Sequence, residues 1–247
     1  MNIAQTELIL TRRKVLQRKK ILKKIYEEWY GKIAEQLPDS QYPILEIGSG
    51  AGFFKNFVKH KKIISSEILK TSCVDLVCDA CNGIPLKNES LSAIVMTDVL
   101  HHLPNVTVFF SEANRLLING GKIIMIEPWV TKWSKFIYKY IHHEPFNLKV
   151  DNWNFDSKDP LFDANSALPY IIFNRDIALF KTRYPEFYIH KPEPIMPFIY
   201  LLSGGFSFRS ILPSSCYSFI RKFEMFFEKY ILYFPMFAFI KIEKCLK

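Results

Sequence analysis

Ile44-Leu45-Glu46-Ile47-Gly48-Ser49-Gly50-Ala51-Gly52 decides how the chain folds. A short apolar run from Tyr42 to Ile47 reads as a strand, the three glycines as a turn, and Phe53 to Lys59 as a helix. A glycine turn between strand and helix lets a ligand approach the backbone, with amide N–H groups and the helix dipole beside it. Alone it is a weak signal, because dinucleotide enzymes use a related turn.

Further apolar runs follow at short intervals. Ile63 and Ile64 lead to Glu67, Cys73 to Cys78 lead to Asp79, and Leu91 to Val99 lead to His101-His102-Leu103-Pro104. Phe109 to Ile118 has helical spacing and ends at Asn119-Gly120-Gly121; Lys122 to Ile126 then leads to Glu127-Pro128. Near-continuously apolar strands alternating with helices predict an α/β fold, a mostly parallel sheet covered on both faces. Between Glu67 and Cys73 there is too little chain for a crossover helix, so an irregular connection is expected there.

Glu46, Glu67 and Asp79 follow three successive strands, at the carboxyl edge where doubly wound sheets bind ligands. Glu46 can take up an amino-acid ammonium, Glu67 can accept from both ribose hydroxyls, and Asp79 can accept from an adenine amine. A ligand with an amine, a ribose and an adenine but no pyrophosphate is S-adenosylmethionine.

Ile44 to Phe57 resembles motif I of the class I methyltransferases. Cys78 to Leu91, Thr97-Asp98-Val99-Leu100-His101-His102-Leu103, and Glu112 to Pro128 resemble, in order, later segments of the methyltransferase type 11 group. The resemblance covers residues 42 to 128. It implies a Rossmann-like class I fold with seven strands ordered 3-2-1-4-5-7-6, the last antiparallel and the last two near Glu186–His190 and Phe237–Ile242. It also implies that Glu46, Gly48, Ser49, Gly50 and Gly52 hold the methionine part, Glu67 the ribose, and Asp79 with the backbone near Ala80 the adenine. Thr97 and Asp98 would sit beside the sulfonium. Two departures are the Ser92-Ala93 pair in place of the usual Phe-Asp, and the missing helix after Glu67.

Methyl transfer needs alignment of acceptor and sulfonium, and a base if the acceptor is a hydroxyl. His101 and His102 are the candidate catalytic bases, while Glu127, His142 and His143 are candidate substrate contacts. The sulfonium supplies the electrophile, so no metal is expected. His142-His143-Glu144 with Asp151 and Asp156 lacks a fixed ligand spacing, and Cys73, Cys78 and Cys81 read as buried strand residues rather than cluster ligands.

The chain has 247 residues, a net charge of +9 and 15% aromatic residues crowded into the second half, which bounds it to one domain. Within it, residues 1–41 are read as an N-terminal amphipathic helix, 42–128 as the cofactor-binding core, and 129–247 as a substrate region plus the last two strands. Leu8, Val15, Leu22 and Trp29 recur every seven residues in a helix over about 7–37, with Arg12, Arg13, Lys14, Arg18, Lys19 and Lys20 between them. This basic segment is either a solvated face or a contact with a membrane or polyanion. Tyr217 to Tyr230 reads as a helix, either packed in the core or lying on a membrane surface. No signal peptide and no run of about 18 uncharged apolar residues is present, and five cysteines make no disulfide framework. A cytoplasmic protein able to touch a membrane is expected.

Glu127-Pro128-Trp129-Val130, His142 to Phe146 and Asn165 to Tyr170 resemble the later half of bacterial methyltransferases associated with surface-glycan genes. Small-molecule, glycan or lipid-linked acceptors methylated at oxygen therefore rank first. RNA methylation is supported only by charge, without a dedicated nucleic-acid domain. A protein that binds S-adenosylmethionine without turnover is the reading from another class.

Overall fold

The computed structural model describes residues 3–50, 53–141, 144–159, 162–230 and 232–245. Its elements run α1 (Ile3–Arg18), α2 (Lys20–Ala34), β1 (Ile44–Ile47), α3 (Phe54–Phe57), β2 (Ile63–Glu67), β3 (Leu76–Val77), β4 (Leu91–Thr97), α4 (Val106–Leu116), β5 (Leu117–Pro128) and α5 (Lys132–Tyr140). The second half adds α6 (Leu168–Tyr170), α7 (Ile177–Arg183), β6 (Phe187–Ile189), β7 (Glu193–Ile195), α8 (Ile199–Ser203), α9 (Tyr217–Glu228) and β8 (Phe237–Lys244).

The sheet order is β3-β2-β1-β4-β5-β8-β6, the predicted class I order with one short strand added. β1 to β5 pair in parallel, and β8 runs antiparallel between β5 and the outer strands. β7 pairs with β8 along the same edge as β6, and Pro194 is tolerated there because an edge strand has a free side.

Both faces of the sheet are apolar, as the sequence pattern requires. Ile94 and Met96 of β4 and Ile123 and Met125 of β5 pack on one face with Phe109, Phe110 and Phe180. Ala93, Val95, Ile124 and Ile126 alternate to the other, against Ile25, Trp29 and Ile33 of α2 and Phe237 and Phe239 of β8.

The predicted single N-terminal helix is two. Lys19, at φ −80° and ψ 89°, breaks the helical path. The apolar stripe is dense only in α2, which buries Ile21, Leu22, Ile25, Tyr26, Trp29, Tyr30 and Ile33. α1 contributes the buried Ile9 and Leu16. The Lys19 ammonium donates to the carbonyls of Gly205 and Phe208, so tertiary bonds hold the break that the heptad pattern does not reveal.

Other elements are shorter than the patterns suggest. α3 is a single turn and β3 two residues. The link from Glu67 to β3 carries no helix, as expected, and Asp75 ties it back by accepting from the Ser65 amide at 2.9 Å and its hydroxyl at 2.8 Å.

Candidate functional site

The ends of β1, β2, β3 and β4 form the floor of a cleft. At Gly48 the backbone turns with φ +65°, and a Cβ there would stand 2.6 Å from Val99 Cγ2, so both conformation and space demand glycine. The Gly50 amide donates to Glu67 Oε2 at 3.0 Å, and the Ile68 amide to Oε1 at 2.8 Å. These bonds fix the Glu67 carboxylate across the turn from β1. Burial raises its pKa, and the two amides moderate that rise.

Glu46 is buried, and among the described residues its carboxyl accepts one hydrogen bond, from the Ser49 hydroxyl at 3.0 Å. Burial lifts its pKa to about 8. A buried carboxyl so poorly compensated suits a cationic ligand such as an ammonium. Asp79 Oδ1 accepts from the Cys81 amide at 2.8 Å, which orients the carboxylate at the end of β3.

Two cavities meet here. One is lined by Ser66, Glu67, Asp79, Ala80, Leu103 and Pro104, a setting for an adenosine. The other is lined by Glu46, Ser49, Gly50, Thr97, Asp98 and an apolar wall of Ile137, Tyr138, Tyr200 and Phe237. Gly48, Glu67, Val99 and His102 belong to both. The predicted cofactor residues that fall within the described chain therefore converge on one cleft; Gly52 lies outside it. The donor set fits S-adenosylmethionine: carboxylates for its ammonium and ribose, and an acid beside its adenine.

The side chains that follow β4 and β5 depart from the sequence reading. His101 is fully buried and lines neither cavity, so it cannot touch a substrate. Its Nδ1 lies 2.8 Å from Glu127 Oε2. Glu127 is also fully buried, and its Oε1 accepts from the Val99 and Leu100 amides at 2.9 and 2.7 Å. The carboxylate that was a candidate substrate contact instead holds the turn after β4 and orients His101. Burial alone would lower the His101 pKa, but the Glu127 and Glu144 carboxylates outweigh it and raise it.

His102 does line the cleft. Its Nδ1 donates to the Asp163 carbonyl at 3.2 Å, leaving Nε2 as the lone-pair nitrogen. Burial and the neighbouring His101 push its pKa down to about 3, so its ring is neutral. Asp98 adopts a left-handed φ of +62°, uncommon for a non-glycine residue and concentrated at functional sites. Burial lifts its carboxyl to about 7, with His101 opposing that rise. His142 and His143 lie outside the described residues.

Arg12 and four tyrosines escaped the sequence reading, and Glu144 was seen there only in a cluster with His142 and His143. Arg12 of α1 reaches the cleft, although its basic run reads as a solvated face or a contact with a membrane or polyanion. Glu144 stands 3.4 Å from His101 Nε2 and 3.8 Å from His102 Nε2. Tyr26, Tyr30, Tyr138 and Tyr200 bring phenol rings to the walls from α2, α5 and α8. Nothing local marks these residues, because the tertiary fold brings them together.

Residues 45–125 match the model of the methyltransferase domain family. These residues form a methyltransferase domain, and the fold built around them is that of the S-adenosylmethionine-dependent methyltransferases. The methyltransferase resembles solved structures at low identity. An S-adenosylmethionine-dependent methyltransferase from Archaeoglobus fulgidus aligns over 90% of this chain and 94% of its own, with 14% identity and a TM-score of 0.57. One from Mesorhizobium loti aligns over 88% and 98%, with 13% identity and a TM-score of 0.50. The [4+2]-cyclase SpnF aligns over 90% and 82%, with 15% identity and a TM-score of 0.52. No curated protein sequence matches the methyltransferase. A cyclase among these neighbours illustrates that fold and reaction are separable, so the acceptor has to be argued from the site.

Proposed function

We propose that the enzyme methylates an oxygen of an amphiphilic acceptor, a small molecule, glycan or lipid-linked sugar, taken from an apolar surface. When bound, S-adenosylmethionine supplies the activated methyl group. Glu46, Ser49 and the Gly48–Gly50 backbone would hold its amino-acid end, Glu67 the ribose, and Asp79 and Ala80 the adenine. Thr97 and Asp98 line the cavity with the apolar wall, where the acceptor would enter. Asp98 and the neutral His102 ring are the groups available to orient an acceptor hydroxyl and take its proton, while the tyrosines and aliphatic wall exclude water.

One observation carries the choice of acceptor. α9 is built inside out: Glu224 is its buried residue, accepting the Phe198 and Ile199 amides at the start of α8, and Arg221 faces inward between Glu28 and Glu228. Its rings point away from the protein, with Phe219 77% and Phe223 56% exposed. Ring contacts continue this surface from Phe226 and Phe223 through Phe227, Phe198, Trp133 and Phe136 to Tyr140. Lys132, Lys139 and Lys229 lie over rings of the same face. The exposed Ile141 beside it, and Phe208, line the cleft mouth. Aromatic rings edged by lysines suit the interface of an anionic membrane. Among the described residues no helix is long and apolar enough to cross a membrane.

The test is methyl transfer from labelled S-adenosylmethionine into separate lipid, glycan and RNA fractions. Label in an alkali-stable ether of a lipid or glycan is expected. Label confined to RNA would replace this reading, and tight cofactor binding with no label in any fraction would indicate a non-catalytic protein.

A further inference from the structure

Behind the cofactor cleft, His101 Nε2, His102 Nε2 and a Glu144 carboxylate oxygen all lie within 4.8 Å of one another. We propose that these three side chains bind a divalent transition-metal ion, with zinc the best fit to the donors.

The first support is the direction of the two rings. His101 Nδ1 is engaged by Glu127 and His102 Nδ1 by the Asp163 carbonyl, so each ring turns its other nitrogen inward. A carboxylate or carbonyl on the far nitrogen is the arrangement that fixes tautomer and angle in metal-bound histidines. The second is an unmet need. His101 is fully buried, yet among the described residues its Nε2 makes no hydrogen bond, and Glu144 Oε2 lies 3.4 Å off. A buried polar atom without a partner is costly, and a cation would satisfy it.

The spacing agrees. Ligands about 2.0–2.1 Å from a tetrahedral ion stand about 3.4 Å apart. His101 Nε2 stands 3.4 Å from Glu144 Oε2 and His102 Nε2 3.8 Å from Oε1, and with all three donors within 4.8 Å small side-chain rotations would bring them to that spacing. Charge agrees too: Asp98, Glu127 and Glu144 surround His101. Two imidazoles and one carboxylate are the donors of sites that keep an open coordination position. His102 and Glu144 line the acceptor cavity, so that position would face it. There, an extension that rests on the methyltransferase reading, the ion would take an acceptor oxygen and leave Asp98 as the base.

The experiment uses the whole chain, stripped with a chelator and titrated with Zn²⁺ by calorimetry and with Co²⁺ by visible absorption. One ion per chain is expected, with cobalt bands typical of nitrogen and oxygen ligands at low coordination. H102A and E144Q should each weaken binding at least 10-fold, and E127Q, acting through His101, about 10- to 100-fold. Circular dichroism checks that each variant is folded, and S-adenosylmethionine affinity is measured in parallel. Metal binding without cofactor binding would count against the methyltransferase reading and leave the ion site standing. Absence of saturable metal binding by the parent chain would overturn the site, as would unchanged metal affinity in folded H102A and E144Q.

Discussion

Glu46 shows how one buried residue can couple binding to pH. Its carboxyl titrates near pH 8 in the fold, against 4.5 for the ordinary group. Between those values the folded protein keeps a proton that the unfolded chain has lost. The contribution is therefore fully present below about pH 4.5 and is lost as pH rises towards 8, at a cost of roughly 3–5 kcal/mol. An ammonium beside the carboxyl reverses this preference. Near pH 7, cofactor binding should release close to one proton, seen as a heat that depends on buffer ionisation enthalpy. E46Q should abolish that release, flatten the melting temperature of the cofactor-free protein between pH 5 and 8, and weaken affinity at least 10-fold. At Asp79, replacement by Ala should cost about 1–3 kcal/mol of cofactor binding, read by calorimetry. G48A should lose about 1–3 kcal/mol of stability, because the left-handed turn and Val99 both oppose a methyl group, and its denaturant midpoint should fall accordingly.

Among the elements, the junction of α1 and α2 shows a tertiary contact prevailing over local pattern. A continuous helix would carry Arg12 away from the cleft. The break at Lys19, tied to the 205–208 turn, returns α1 across the mouth and places Ile9 and Arg12 on the cavity wall. Lys19 has its pKa lowered by burial, which agrees with a side chain drawn off the surface. K19M should loosen α1 without unfolding α2, because the latter owns the buried stripe. Hydrogen exchange should rise across residues 3–18 and stay slow across 20–34, with a weaker grip on the cofactor. α9 makes the converse point. Its aromatic spacing suits a core helix, yet Glu224 lies inside because two α8 amides need an acceptor.

The whole molecule presents that aromatic face beside the mouth of its cleft. The double variant F223E/F226E removes apolar surface and adds negative charge where the rings are exposed, so folding should be little affected. Sedimentation with vesicles containing anionic lipid should fall by at least 10-fold relative to the parent. Turnover on a water-soluble acceptor should be retained. Equal sedimentation of parent and variant would remove the membrane from the proposal.

The parallel α/β class and the carboxyl-edge position of the candidate cofactor residues were legible because they are local consequences of the chain: apolar runs of strand length, a glycine bend, and acids one strand apart; the strand order itself followed from the resemblance to the class I methyltransferases. Parallel strands of that spacing have few ways to close, and the acids arrive together at one edge. The tertiary structure alone decided which way side chains beyond that edge face. His101 turns inward to Glu127 and His102 outward to the cleft, although the two are neighbours in sequence. Arg12, Glu144 and the tyrosines reach the cavity from helices and loops far apart in the chain. Periodicity records which face of an element is apolar. It carries no information on which distant element will supply a hydrogen-bond partner, and here those partners determine what each polar side chain can do.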